Sequence, residues 1–184
     1  LPAATWSATP WLPVLSMPMK KPVSKPGPEL SLSVQYAAPA ESLPRWRLRR
    51  WVQAALAAAP YNPDIARMNL TIRLVNADEG RELNQQFRNR DYATNVLTFE
   101  YGVQPDAGLM ADIVLCLPVL HQEAQEQHKK VLAHAAHLTI HGVLHALGYD
   151  HQDEYEAQEM ETLETHILAK LGFTDPYRIL PATH

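Results

Sequence analysis

Apolar and polar residues alternate along ELSLSVQY at 29–36, the period of a strand with one buried and one open face. The pattern then lengthens. SLPRWRLRRWVQAALAAA at 42–59 predicts an alanine-rich helix, with Ser42 as its cap and Pro44 in its first turn. NLTIRLV at 69–75 predicts a second strand, and DEGRELNQQFRN at 78–89 a short helix that buries Leu83 and Phe87. NVLTFEY at 95–101 and ADIVLCL at 111–117 predict two more strands, and the Gly/Pro-bearing loop between them suits an antiparallel hairpin or a wider return. Three helical segments close the chain, at 118–128 opening on Pro118, at 130–147 ending near Gly148, and at 153–171 ending at Gly172. Strands early and helices late imply an α+β fold, a single domain whose mixed sheet of about four strands is packed with helices.

Composition changes this picture mainly at the N-terminus. Residues 1–28 hold seven prolines and no sustained period, so they are expected to form an extended tail ahead of one domain at 29–184. They make a poor signal peptide, because no basic stretch precedes the apolar residues and Pro10, Pro13 and Pro18 interrupt them. No run reaches the ~20 apolar residues of a membrane span. At 184 residues and 46% hydrophobic, the chain can build a core without help, and its lone cysteine, Cys116, reads as a buried strand thiol of a cytosolic protein. Charge is unevenly spread: residues 1–100 carry 12 Lys+Arg against 8 Asp+Glu, and residues 101–184 carry 4 against 12, within a net charge of −4. Nine arginines lie between Arg45 and Arg90, so either an anion-binding face or an ordinary solvated surface is built from that half.

The candidate chemistry is concentrated in HGVLHALGYDH at 141–151. Residues four apart on a helix lie on one face with Cβ atoms about 5–6 Å apart, so His141 and His145 can converge on one ion at about 2.0–2.1 Å. Gly148 tolerates the positive φ that turns the chain back, bringing His151 to the open side of the same ion. Three protein ligands with a vacant position is the arrangement of catalytic zinc, so one Zn2+ on His141, His145 and His151 is the expectation. His134 and His137 share the stripe and are expected to form a polar helix face beneath the sheet, or at most to support the site or face its substrate. His121, His128, His166 and His184 have no partner at ligand spacing and are expected at the surface. The same spacing occurs in metzincin proteases, whose glutamate base follows the first histidine. Gly142 stands there instead and has no side chain to take a proton, which disfavours a metallopeptidase. Asp150 is placed either to orient a ligand imidazole or to serve as an exposed turn residue.

Two motifs together resemble one family. The three-histidine motif with Gly-Tyr-Asp before its last histidine, and the segment containing Phe87, Arg88, Asp91, Thr94, Asn95, Val96, Leu97, Thr98 and Phe99, are similar to the YbeY family of bacterial metal-dependent endoribonucleases, over roughly 29–178. The resemblance implies a role in maturing small-subunit ribosomal RNA, with zinc on His141, His145 and His151 and Arg88 as a catalytic arginine beside it. It also implies ribosomal RNA, small-subunit ribosomal proteins and assembly factors as partners. A metal-stabilised assembly factor that does not cut RNA stays open as the alternative.

Overall fold

The structure, a computed structural model, describes residues 27–178. Along them run β1 (Glu29–Tyr36), α1 (Arg45–Ala58), β2 (Arg67–Val75), α2 (Ala77–Arg88), β3 (Val96–Gln104), β4 (Gly108–Cys116), α3 (Leu117–Glu126), α4 (Val131–Ala146) and α5 (Glu154–Lys170). The strands form one sheet in the order β1-β2-β4-β3. β1 and β4 run parallel to β2, and β3 is antiparallel to β4. The expected α+β domain with a mixed four-stranded sheet is therefore what these residues build, and the 95–117 region closes as the antiparallel hairpin. Of the 1–28 tail, all but Gly27 and Pro28 lies outside the described residues, as does His184.

Strand alternation sets the two faces. Met68, Leu70, Ile72 and Leu74 of β2, with Leu109, Ala111, Ile113 and Leu115 of β4, point into the main core shared with α1, α4 and α5. Val75, Leu97, Val114 and Cys116 point the other way, into a smaller cluster joined by Leu83 of α2. Cys116 is the expected buried thiol, and burial raises its pKa. No helix of the described residues is long and apolar enough to cross a membrane.

Two local expectations fail. Ser42 does not cap α1, because Pro44 takes the N-cap position itself in an extended conformation, and the Ser42 carbonyl accepts a hydrogen bond from Arg47 Nη1 at 2.6 Å. Phe87 is 55% exposed rather than buried. α2 lies closest to the sheet at Gly80, where an added Cβ would come within 2.9 Å of Cys116 Sγ. Phe87, two turns on, meets only the edge of Phe99 at a ring separation of 5.0 Å.

Candidate functional site

α4 runs through the middle of the molecule, against α1, α3, α5 and the sheet, and ten of its sixteen residues are buried. A helix so apolar owes its position to packing, and its one polar stripe is His134, His137, His141 and His145. The helix ends in a glycine motif. Gly148 adopts φ +100°, its N–H donates to His145 O at 2.9 Å, and the Tyr149 N–H donates to Leu144 O at 3.0 Å. No neighbour lies within 4 Å of a Cβ built there, so backbone conformation and not space demands glycine. Asp153 restarts the chain as α5 by accepting the Glu156 N–H at 2.8 Å.

This turn brings His151 beside His141 and His145, with one ring nitrogen of each within 4.8 Å of the others. His141 Nε2 and His145 Nε2 face each other at 3.1 Å, near the roughly 3.3 Å that two Zn–N bonds of about 2.0–2.1 Å subtend at a tetrahedral angle. Burial, then the imidazoles of His141 and His151, hold the pKa of His145 down to about 4. Its lone pair is therefore free at neutral pH, as a metal ligand requires. The donor set fits a single transition-metal ion.

The three imidazoles line a cleft of about 650 Å³ whose facing wall includes Arg88, Arg90, Tyr92, Asn95 and Thr98. Between Arg88 at the end of α2 and Thr98 in β3, that wall is a loop fixed from behind. Asn84, buried in α2, donates to Tyr92 O at 2.7 Å, Arg81 holds Asp91 through two hydrogen bonds, and Asn95 Nδ2 donates to the Glu123 carboxylate at 2.9 Å. Within the 87–99 motif, Asp91 and Asn95 thus serve the loop itself. Arg88 does not: it is exposed, has no carboxylate partner among the described residues, and steadies itself on Thr98 O at 3.2 Å. Glu100 also lines the cleft, and its pKa is raised by burial and then by Asp150. Asp150 accepts the His151 backbone N–H at 2.8 Å and Gln152 Nε2 at 2.6 Å, so of its two candidate roles it takes that of turn residue.

A family model described as Endoribonuclease YbeY matches residues 34–172. Curated relatives called Endoribonuclease YbeY include one from Bordetella pertussis, 61% identical over 151 residues that cover 81% of this chain and 96% of the relative. The chain belongs to the YbeY family. Another relative of that name, from Paraburkholderia phymatum, is 50% identical over 82% of this chain and 97% of its own length. The solution structure of TM1509 from Thermotoga maritima shares the fold, with a TM-score of 0.53 at 23% identity over 80% of this chain and 99% of its own.

Beneath this YbeY-family cleft lies a carboxylate that the residue pattern did not single out. Glu164 of α5 is fully buried; its Oε1 lies 2.5 Å from His141 Nδ1, and its Oε2 accepts from His137 Nε2 at 3.0 Å and from the Tyr177 hydroxyl. Burial acts to raise its pKa, but the hydrogen bonds from His137 and His141 outweigh that and bring it to about 2. The ionised carboxylate fixes His141 with its proton on Nδ1, leaving Nε2 to the cluster. A signal was there: Glu164 falls on the helical stripe of Met160, Ile167 and Leu168, where an acidic residue has no place without a partner. His134, expected on a polar face, is likewise buried, at 2.8 Å from the carboxylate of Glu123. His121, His128 and His166 are exposed, as expected.

Glu164→Gln should weaken zinc binding by about 10- to 100-fold, the usual cost of losing a ligand's hydrogen-bonding partner. Competition against a chromophoric chelator measures this, with circular dichroism as the check on folding. An affinity equal to that of the unaltered protein would mean that His141 needs no such support.

Gly142 has a structural reason to be small. A Cβ there would stand 2.8 Å from Ile113 Cδ1, because position 142 faces β4 rather than the cleft. A protease-like base at this position would be driven into the core. Gly142→Glu should therefore produce no peptidase and lower stability by more than about 3 kcal/mol, the penalty of an unpaired buried charge. A fall in melting temperature of roughly 6–12 °C or more is the expected readout for a chain of this size; casein cleavage by a normally stable variant would contradict it.

Proposed function

We propose that this chain is a zinc-dependent, single-strand-type endoribonuclease that processes ribosomal RNA, at the 3′ end of the small-subunit 16S species and in ribosome quality control. One observation carries the proposal: a single cleft holds three converging imidazoles on one wall and, on the other, the guanidinium of Arg88, which has no carboxylate partner among the described residues. Membership of the YbeY family supports the RNA substrate.

In this mechanism His141, His145 and His151 hold the metal. When bound, zinc supplies a Lewis acid for charge growing on phosphate oxygens and eases loss of a proton from water. Arg88 presents a planar fork that can take two non-bridging oxygens of a phosphodiester at once. Glu164, by fixing the His141 ring, keeps one wall of the cleft in register with the other. The proposal extends to a cytoplasmic site of action, to small-subunit ribosomal proteins and assembly factors as partners, and to residues 1–28 as a tail outside the catalytic domain.

The test is incubation of zinc-loaded protein with structured RNA and with casein, each with and without chelator. Chelator-sensitive cleavage of RNA alone is the expected result. Cleavage of casein would indicate a peptidase, and cleavage of neither a metal-stabilised assembly factor.

A further inference from the structure

A second depression lies across β3 from the metal cleft, and the proposed activity has not used it. Its volume is about 700 Å³, within the roughly 300–1,000 Å³ of small-ligand sites. β3 is the edge strand of the sheet, so the two hollows lie on either side of a single strand. Arg88, Thr98 and Glu100 line both of them. Arg88 stands on the divide, its guanidinium resting on the β3 backbone at Thr98 O.

The lining of this second hollow suits a flat, uncharged, hydrogen-bonding ring. Phe87 and Tyr101 are 55% and 50% exposed there, and Phe99 backs Phe87 edge-on. Exposed aromatic rings beside a nucleic-acid cleft offer the sequence-tolerant stacking by which unpaired bases are held. The charged groups on the floor are already paired: Arg73 Nε with Glu79 at 2.5 Å, Arg73 Nη1 with Gln35 at 3.0 Å, and Asp112 with the Tyr101 hydroxyl at 2.8 Å. The Arg73–Glu79 pair cancels its own charge, and the Tyr101 hydroxyl, being neutral, leaves that of the Asp112 carboxylate uncancelled, so the floor holds its donors and acceptors in place and offers no net positive charge to a phosphate. Arg88, at the rim, is where a phosphate is attracted.

We infer that this hollow is a nucleobase subsite, which takes an unpaired base next to the phosphate engaged by Arg88. The inference rests on the endoribonuclease reading of the neighbouring cleft and gives one base of its substrate a place: a nucleotide beside the cleaved bond crosses β3 and sets its base in this hollow.

The experiment uses the full zinc-loaded chain and a short single-stranded RNA with an abasic nucleotide placed at each position in turn. Binding is read by fluorescence anisotropy and cleavage by single-turnover rates on the same oligonucleotides. One abasic position is expected to weaken binding by roughly 5- to 150-fold, the size of one lost base–aromatic stack. The same abasic RNA should bind Phe87→Ala no more weakly than intact RNA does, because that variant has already lost the stack. Phe87→Leu, which keeps apolar bulk without an aromatic face, should behave like Phe87→Ala, and Tyr101→Leu provides a second variant at the same hollow. Equal abasic penalties in the unaltered protein and all three variants would overturn the subsite, as would the absence of any penalty or of RNA binding. RNA that binds with the abasic penalty but is never cut would instead overturn the endoribonuclease reading and leave the subsite standing.

Discussion

His145→Ala is expected to yield a folded protein that retains almost no zinc and cleaves RNA at least about 10³-fold more slowly, the several kcal/mol of charge stabilisation that a metal supplies. His145 holds the centre of the cluster: its ring lies 4.6 Å from that of His141 and 5.0 Å from that of His151, centroid to centroid. Without it two imidazoles remain, too few to hold a catalytic zinc against a chelator. The side chain is only half-buried at the cleft surface, so its truncation leaves the core of α4 intact. Elemental analysis checks the metal and a single-turnover assay the rate. Undiminished zinc in the variant would remove His145 from the ligand set.

Arg88→Ala is expected to leave zinc content and melting temperature unchanged and to lower the maximal rate of RNA cleavage by roughly 10²–10³-fold, as when one preorganised donor is lost from an anion hole. The side chain is exposed and its single hydrogen bond among the described residues is to a backbone carbonyl, so nothing in the core depends on it. Arg88→Lys should recover only part of the rate, because an ammonium keeps the charge and not the two-pronged fit. Single-turnover rates across RNA concentrations decide between chemistry and binding. A normal plateau, with a defect confined to affinity and relieved at low salt, would make Arg88 an anchor rather than a catalytic residue.

The histidine signal in the sequence is local, whereas Arg88 stands out only through the family resemblance. The histidine spacing needs only helix geometry and one glycine, and Gly148 takes the positive φ that the spacing requires. The four strands were legible from alternation, with the hairpin of β3 and β4 as one of two readings their loop allowed, while the strand order was not. What escaped depends on contacts remote along the chain. Glu164 meets His141 from 23 residues away, and Asn95 meets Glu123 from 28. Phe87 has helical spacing from Leu83, yet α2 docks through Gly80, so the same periodicity leaves one ring out in solvent. Periodicity tells which residues share a face of α2; it does not tell how far along the helix that face stays covered.

The glycine turn after α4 gives the histidine cluster a mechanical asymmetry. Two imidazoles ride on a helix packed through the core, while His151 sits exposed on the short connection before α5, held by Asp150 and the turn's own hydrogen bonds. Segments of that kind open locally far more often than the core does. The lifetime of a bound ion should then be set by how often residues 148–152 peel away, and amide exchange in that stretch should slow when metal is added while α4 stays unchanged. The same opening gives the ion a route in and out that leaves the rest of the molecule folded.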